Sequence, residues 1–419
     1  MKKIFVQIIF SLILFSGYSS VYSQIPHLQI HHIGAGDGDA TLILLVDSVG
    51  TNLFTNAPIW DTCTILIDGQ REGGGKEVWR YVNDTVRYYF PNRLVIDAII
   101  VSHLHIDHYG GLINLITNAI AQNWKINKVI TRAAVISQLA DPNNVIDSCY
   151  SDITVINPNS TKVNTFFKTV RDNNINQPAI TAGAYLYQGR TISIRCIVSV
   201  GAALNNSGGV TIFLPETYQG SGLYKAKNEN DLSYGFLVAF QGFHYVTMGD
   251  LAGVNGSNYV DGESFVTKYL DGYYNAVDYH LCSYKVSHHG SAESTTEEFA
   301  RLNNPFLAVI PASLRAYGRS TNPLPTQTAI TNLQANPNGT TVLYTFIPNN
   351  PSTLASWWTF DNLQYLADII LKISATGYPE SGDPLPITVV KAIKNSSNYA
   401  YLPGGVSVKT YKCTKGHDW

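Results

Sequence analysis

Ser102-His103-Leu104-His105-Ile106-Asp107-His108-Tyr109-Gly110-Gly111 is the stretch on which the reading of this 419-residue chain turns. It follows the apolar run Leu94-Val95-Ile96-Asp97-Ala98-Ile99-Ile100-Val101, short and β-branched enough to predict a buried strand. Leu112-Ile113-Asn114-Leu115-Ile116 then opens a helix. In an extended segment His103 and His105 project to the same side. Asp107 and His108 fall at the turn into the helix, where both can aim at a neighbouring point. The spacing therefore suits two metal ions side by side, one held by His103 and His105, the next by Asp107 and His108. Imidazole nitrogen and carboxylate oxygen are the donors zinc takes in catalytic sites that keep a position for water. Histidine supplies only 11 of the 419 residues. Three at these offsets beside an aspartate form a ligand pattern rather than scattered core histidines.

Other motifs follow in order. They are Gly38-Asp39-Ala40, Leu66-Ile67-Asp68-Gly69, Asn230-Asp231-Leu232-Ser233, Met248-Gly249-Asp250 and Lys285-Val286-Ser287-His288-His289-Gly290-Ser291. With the HxHxDH-Gly-Gly stretch, they resemble the metallo-β-lactamase fold superfamily. Within it they resemble the hydrolase domain of ComEC/Rec2-type competence proteins and the related phosphorylcholine esterases. The likeness runs from about residue 28 to about 345. It implies an α/β (α+β) chain, a four-layer αββα sandwich, here with a small C-terminal β-rich extension. It implies zinc as cofactor, two ions, with manganese or iron as alternatives. It also sets Asp68 against the histidine loop as a supporting residue, and Asp250 as the carboxylate that bridges two cations. The competing role for Asp250 is a helix N-cap. Of His288 and His289, neighbours on opposite faces after a strand, one is a ligand. His289 is favoured as that ligand, with His288 contacting the substrate or donating a proton. The reverse order stays open.

Residues 1–23 are read as a secretory signal peptide. Lys2-Lys3 precede an apolar stretch from Ile4 to Phe15, too short to favour a membrane span, and a cut is expected ahead of Gln24. The mature chain is then secreted or periplasmic, with no membrane span after cleavage. Residues 24–345 would form the hydrolase domain and 346–419 the extension. Only 14% of residues are charged, and the net charge of −2 falls to about −4 with the loss of Lys2 and Lys3. No Lys/Arg cluster stands out. A tight grip on nucleic acid by counterion release normally needs a basic stripe, so a small-molecule or phosphoester substrate is favoured over nucleic acid. Five cysteines (Cys63, Cys149, Cys196, Cys282, Cys413) have no CxxC spacing, and their odd number leaves at least one unpaired.

His31 and His32 are read as structural, one facing in and one out. Gly73-Gly74-Gly75 is expected to be a flexible loop, and Glu77–Tyr89 a helix. Strands are expected at Cys63–Ile67, Phe236–Ala239 and Tyr245–Met248, the last two a hairpin about Gln241-Gly242. No histidine lies between His108 and His244. Many members of the resembling superfamily place a ligand in that interval, so one metal has either lost a ligand or recruited a substitute such as Asp231 or Asn230. Where the resembling branch often has Tyr-Gly-His-Pro, this chain has Tyr317-Gly318-Arg319-Ser320. A guanidinium cannot ligate metal but can grip an anionic oxygen. In the extension, Trp357-Trp358 is read as an exposed aromatic pair or, in preference, a docking plug, Ile387–Ile393 and Val406–Tyr411 as strands, and His417 as part of a disordered tail.

The chemistry follows from the metals, which lower the pKa of bound water to roughly 7. Asp107 would orient the nucleophile as well as ligate, and His288 and Arg319 would complete the catalytic set. The expected reaction is metal-dependent hydrolysis of a phosphate ester, of phosphodiester type. The alternatives are hydrolysis of a lactone, β-lactam or thioester, and a non-enzymatic metal-binding surface protein of the same fold.

Overall fold

The computed structural model describes residues 25–36, 38–51, 58–132, 160–215, 226–277, 281–311, 324–335, 339–347, 365–374, 385–395, 398 and 400–413. The signal segment, Cys149, Arg319, Trp357, Trp358 and His417 lie outside the described residues.

Among them two nine-stranded sheets form the frame. In spatial order the first runs Tyr401–Cys413, Leu385–Asn395, Tyr365–Ser374, His27–His32, Thr41–Thr51, Pro58–Ile67, Ala98–Ile100 and Val129–Ile130, with Phe346–Ile347 paired to Tyr365–Ser374. The second runs Val210–Ile212, Ala202–Leu204, Ile192–Ser199, Gly235–Phe240, Phe243–Thr247, Ser283–Lys285, Leu307–Ile310 and Thr341–Tyr344, with Tyr185–Gln188 beside Ile192–Ser199. Period-2 alternation gives each sheet two apolar faces. Ile30, Ile43, Ile65 and Ile100 meet Ile194, Phe236, Tyr245 and Val309 in one core between the sheets. The other face of the first sheet packs Leu42, Leu66 and Ile99 on helices Gly75–Tyr89, Leu112–Ala121 and Ser160–Asp172. The other face of the second packs Val246, Tyr284 and Ala308 with Val266, Phe299 and Ile330 from helices Glu263–Val277, Glu297–Asn303 and Gln327–Gln334. Helix, sheet, sheet, helix is the four-layer αββα sandwich of the metallo-β-lactamase fold.

Both covered faces correct the reading of β-strand His27–His32. Alternation sends His31 to the helix side, where Nδ1 lies 2.8 Å from the Tyr81 hydroxyl, and His32 to the other, against the Tyr245 ring. Neither is outward-facing in the sense of solvent, because both sides of the strand are packed. Residues 94–101 are two strands, not one. Val95–Ile96 pairs with Lys125–Ile126, whereas Ala98–Ile100 joins the main sheet. Asp97 makes the break, its carboxylate accepting from Thr64 N, Arg93 and Asn127. Gly73-Gly74-Gly75 is ordered rather than a loose loop: Glu72–Gly74 is a 3-10 turn leading into helix Gly75–Tyr89. A Cβ on Gly75 would sit 2.4 Å from the Gly111 carbonyl oxygen, so glycine allows the helices to touch there.

The β-rich part after residue 345 extends the first sheet rather than standing apart from it. Tyr365–Ser374 pairs antiparallel with His27–His32 in register from His27–Ser374 to His32–Ile369. The expected strand runs lie within Leu385–Asn395 and Tyr401–Cys413. A disulfide from Cys413 to Cys282 ties this edge to the second sheet, and Cys63 and Cys196 are buried thiols. Behind the sheet, buried Lys394 donates to Asp368 (2.8 Å) and Glu77 (3.1 Å), joining the C-terminal strands to helix Gly75–Tyr89.

Candidate metal centre

The site forms where strands of both sheets end. Strand Ala98–Ile100 delivers Ser102 and His103, and a single helical turn, Ile106–Tyr109, follows. Asp68, at the end of Pro58–Ile67 with φ +61°, fastens this loop. Its carboxylate accepts from Ser102 N (2.7 Å), from the Ser102 hydroxyl (2.7 Å) and from His108 Nδ1 (2.9 Å). That last bond fixes the tautomer: the proton sits on Nδ1 and the Nε2 lone pair faces the cluster. Gly38 lets the Gly-Asp-Ala loop approach from beneath, since a Cβ there would lie 1.9 Å from the Asp107 carbonyl oxygen. From the second sheet, Asp250 follows strand Phe243–Thr247, and His288 and His289 follow Ser283–Lys285. Both histidines hold positive φ (48° and 51°), which aims their adjacent side chains differently from strand neighbours.

Two groups of donor atoms result. The ligand atoms of Asp107, His108, Asp250 and His289 lie within 4.8 Å of one another, as do those of His103, His105 and Asp250. Within the second group His103 Nε2 is 2.9 Å from His105 Nδ1 and 3.7 Å from Asp250 Oδ2. Within the first, His289 Nε2 is 3.1 Å from Asp107 Oδ2 and 3.5 Å from Asp250 Oδ2. His108 Nε2 is 3.5 Å from the same Asp107 oxygen and 3.3 Å from the same Asp250 oxygen. Donors 2.0–2.1 Å from one tetrahedral ion are about 3.3 Å apart. The observed separations bracket that spacing, and Asp250 belongs to both groups. Asp250 Oδ1 and His108 Nε2 are moreover buried without a hydrogen-bond partner among the described residues. The donor set fits a pair of cations.

The electrostatics point the same way. Burial pushes the Asp250 carboxyl up, but His108, His289 and His103 outweigh it and hold the group well below the usual carboxylate range. Asp107 is likewise held low against burial, by His108 and His289. Burial lowers His108, yet Asp250, Asp107 and Asp68 raise it well above an ordinary imidazole. His289 is raised by Asp250 and Asp39 in the same way. Burial and the nearby His108 keep His103 low, and burial lowers His105 despite the acidic groups around it. Carboxylates that favour protons on His108 and His289 favour a cation in their place, and binding one releases those protons.

His288 stands outside both groups. Its Nδ1 lies 2.9 Å from the Ser291 hydroxyl, which donates to Glu293, and its Nε2 is 3.2 Å from Asn230 Nδ2. Asp231 is not recruited to the groups: its carboxylate accepts from the backbone N–H of Lys227, Asn228 and Val260, a capping box around the 3-10 turn Glu229–Leu232. Local hydrogen bonding has claimed that side chain. Asp250 N receives the Ser233 hydroxyl oxygen as acceptor at 3.2 Å, and no helix starts at Asp250.

Sequence reading missed three supports. Glu229 takes a bidentate grip from Arg132 (2.6 and 2.7 Å) and also accepts Leu104 N–H (2.8 Å), pinning the loop between His103 and His105. Asp39 pairs with Lys285 and lies 3.2 Å from His289 Nδ1. The same nitrogen lies 2.8 Å from the Pro311 carbonyl oxygen. The motifs contained Asp39 and Lys285, but only proximity in space gives them a role.

Residues 90–131 match the family model Lactamase_B, described as Metallo-beta-lactamase superfamily. The metallo-β-lactamase match spans the segment with His103, His105, Asp107 and His108; Asp250 and His289 come from outside it. No curated protein matches the chain. Among solved structures, the chain is similar to unliganded yeast PDE1 at 10% identity, covering 80% of this chain and 92% of that one, TM-score 0.39. It is similar to the metallo-beta-lactamase fold protein YhfI from Bacillus subtilis at 11% identity, covering 75% and 96%, TM-score 0.33. It is also similar to the short form of human tRNase Z at 12% identity, covering 66% and 91%, TM-score 0.30. At these scores the likenesses fix neither substrate nor reaction.

Proposed function

We propose that this chain is an exported, metal-dependent hydrolase of the metallo-β-lactamase superfamily that cleaves a phosphate ester of phosphodiester type, in the ComEC/Rec2-like and phosphorylcholine-esterase-like branch. The observation that carries the reading is the spacing of five donor side chains (His103, His105, Asp107, His108 and His289) about Asp250. In this reading His103, His105 and Asp250 hold one zinc ion, and Asp107, His108, His289 and Asp250 the other. When bound, the pair supplies Lewis acidity and a water of pKa about 7. Asp107 orients the attacking water. His288, held by Ser291 through Nδ1 and next to Asn230, lies beside the cluster with Nε2 free to exchange Asn230 for a phosphoryl or leaving oxygen. Arg319 would grip a non-bridging oxygen. The Cys282–Cys413 disulfide supports an oxidising compartment and hence export of the chain behind residues 1–23.

The test is metal analysis of the purified protein together with a substrate panel of bis-p-nitrophenyl phosphate, nitrocefin and an acyl lactone. About two zinc ions per chain and turnover of the phosphodiester alone are expected. Turnover confined to nitrocefin or the lactone overturns the phosphoester reading. Bound zinc with no turnover, and no rate change on His105→Ala, would leave a non-catalytic metal protein. For Arg319, unchanged turnover and affinity in Arg319→Ala refute the contact.

A further inference from the structure

A third group of donors stands behind the two already described. The ligand atoms of Asp39, Asp68 and His108, all buried, also lie within 4.8 Å of one another. His108 Nδ1 is 2.9 Å from Asp68 Oδ2 and 3.9 Å from Asp39 Oδ2. The spacing marks a third cation position, in which Asp39 and Asp68 are the donors while His108 Nδ1 keeps its proton for Asp68. It differs in one respect: Lys285 reaches its Asp39 end. Strand Ser283–Lys285 runs through the middle of the second sheet, between Phe243–Thr247 and Leu307–Ile310. Tyr284 packs into the helix-side core, so alternation turns Lys285 toward the other sheet. There its ammonium pairs with Asp39 Oδ2 and donates to the Gly249 carbonyl at 3.0 Å, with the side chain 2% exposed.

We propose that the Lys285 ammonium is a built-in cation that fills the Asp39–Asp68–His108 position and so limits the cluster to two divalent ions. The inference rests on the metal-centre reading. Its physical basis is that a buried carboxylate needs a fixed counter-charge. Four carboxylates (Asp39, Asp68, Asp107, Asp250) converge here, and all are buried. Two divalent ions balance them, and the ammonium leaves one positive charge in excess, which favours an anionic substrate. An ammonium also cannot be chelated or exchanged. The charge behind the centre is therefore constant whatever the metal supply, and Asp39 stays in place 3.2 Å from His289 Nδ1. Lys285 acts as a positioning residue, with no contact to substrate.

The full-length chain with Lys285→Ala tests this in two arms. Freed of metal by chelation, the variant should gain at least about 2 °C in Tm with methylammonium, saturably, and none with tetramethylammonium at equal ionic strength, which has no N–H to donate to Asp39 and the Gly249 carbonyl. The wild type should respond to neither. Titrated with zinc, the variant should take up one ion more than the wild type, and methylammonium should displace that ion. Equal effects of the two amines, or an unchanged zinc count, overturn the proposal. If the wild type itself binds no zinc, the metal-centre reading has failed, and the amine arm alone decides the role of the lysine. If Lys285→Ala does not fold, the double variant Asp39→Asn/Lys285→Met should, because it removes both charges. A double variant as unfolded as the single one overturns the proposal as well.

Discussion

Asp68→Asn should weaken zinc binding 10- to 100-fold without touching a proposed ligand. Asp68 Oδ1 accepts from Ser102 N, while Oδ2 accepts from the Ser102 hydroxyl and His108 Nδ1. The amide keeps one acceptor oxygen for Ser102 N and turns an NH2 toward the other two groups. The Ser102 hydroxyl can rotate and accept. His108 Nδ1 can meet the NH2 only without its proton, which then moves to Nε2. Nε2 is the nitrogen 3.3–3.5 Å from Asp250 and Asp107, and protonated it cannot ligate. Asp68 is only 1% exposed, so water cannot take over the lost bond. Loss of such an orienting partner costs metal affinity roughly 10- to 100-fold, or about 1.4–2.7 kcal/mol. Competition against a chelator of known affinity, at fixed pH, measures it. The weakening should fall on one ion, the one held with His108. A zinc affinity within twofold of wild type, in a variant whose urea midpoint shows an intact fold, would refute the tautomer argument.

Three further outcomes follow from the frame around the site. Cys282→Ser opens a covalent loop of sequence separation 131; on chain-entropy grounds urea unfolding under non-reducing conditions should show a loss of about 3–5 kcal/mol. Lys394→Met leaves Asp368 buried without its cation, whereas Glu77 keeps Arg80, and urea unfolding should register about 3 kcal/mol of destabilisation. Glu263 is fully buried, and burial pushes its carboxyl up to about 7 in spite of hydrogen bonds from Thr296 and Thr295. With a folded value above the unfolded 4.5, its contribution is complete below pH 4.5 and lost as pH rises through about 7. That contribution is about 3 kcal/mol, and Glu263→Gln should flatten the stability profile over the same window.

The legible part of the site was local. The offsets among His103, His105, Asp107 and His108 already fix which side chains share a strand-to-helix turn, because strand and helix geometry operate over a few residues. Hairpin Gly235–Phe240/Phe243–Thr247, expected about Gln241-Gly242, and helix Gly75–Tyr89, expected over Glu77–Tyr89, were legible in the same local way. What misled were positions whose surroundings come from elsewhere in the chain. His32 reads as half of an in–out pair until the second sheet places Tyr245 on it. Asp231 offers a carboxylate near the site, but three backbone N–H groups take it. The strands after residue 345 look like an appendage because nothing in their own pattern names His27–His32 as their partner.

From the sequence alone came the donor types and their order, which are matters of short-range spacing, and the sandwich came only through the resemblance that those motifs carry. Only the folded chain decided that Asp250 stands between two donor groups, that Asp68 sets the His108 tautomer, and that Lys285 lies behind them against Asp39. Those relations join residues 39 to 289, and distance in space between such points is set by how two sheets stack, which no local pattern encodes.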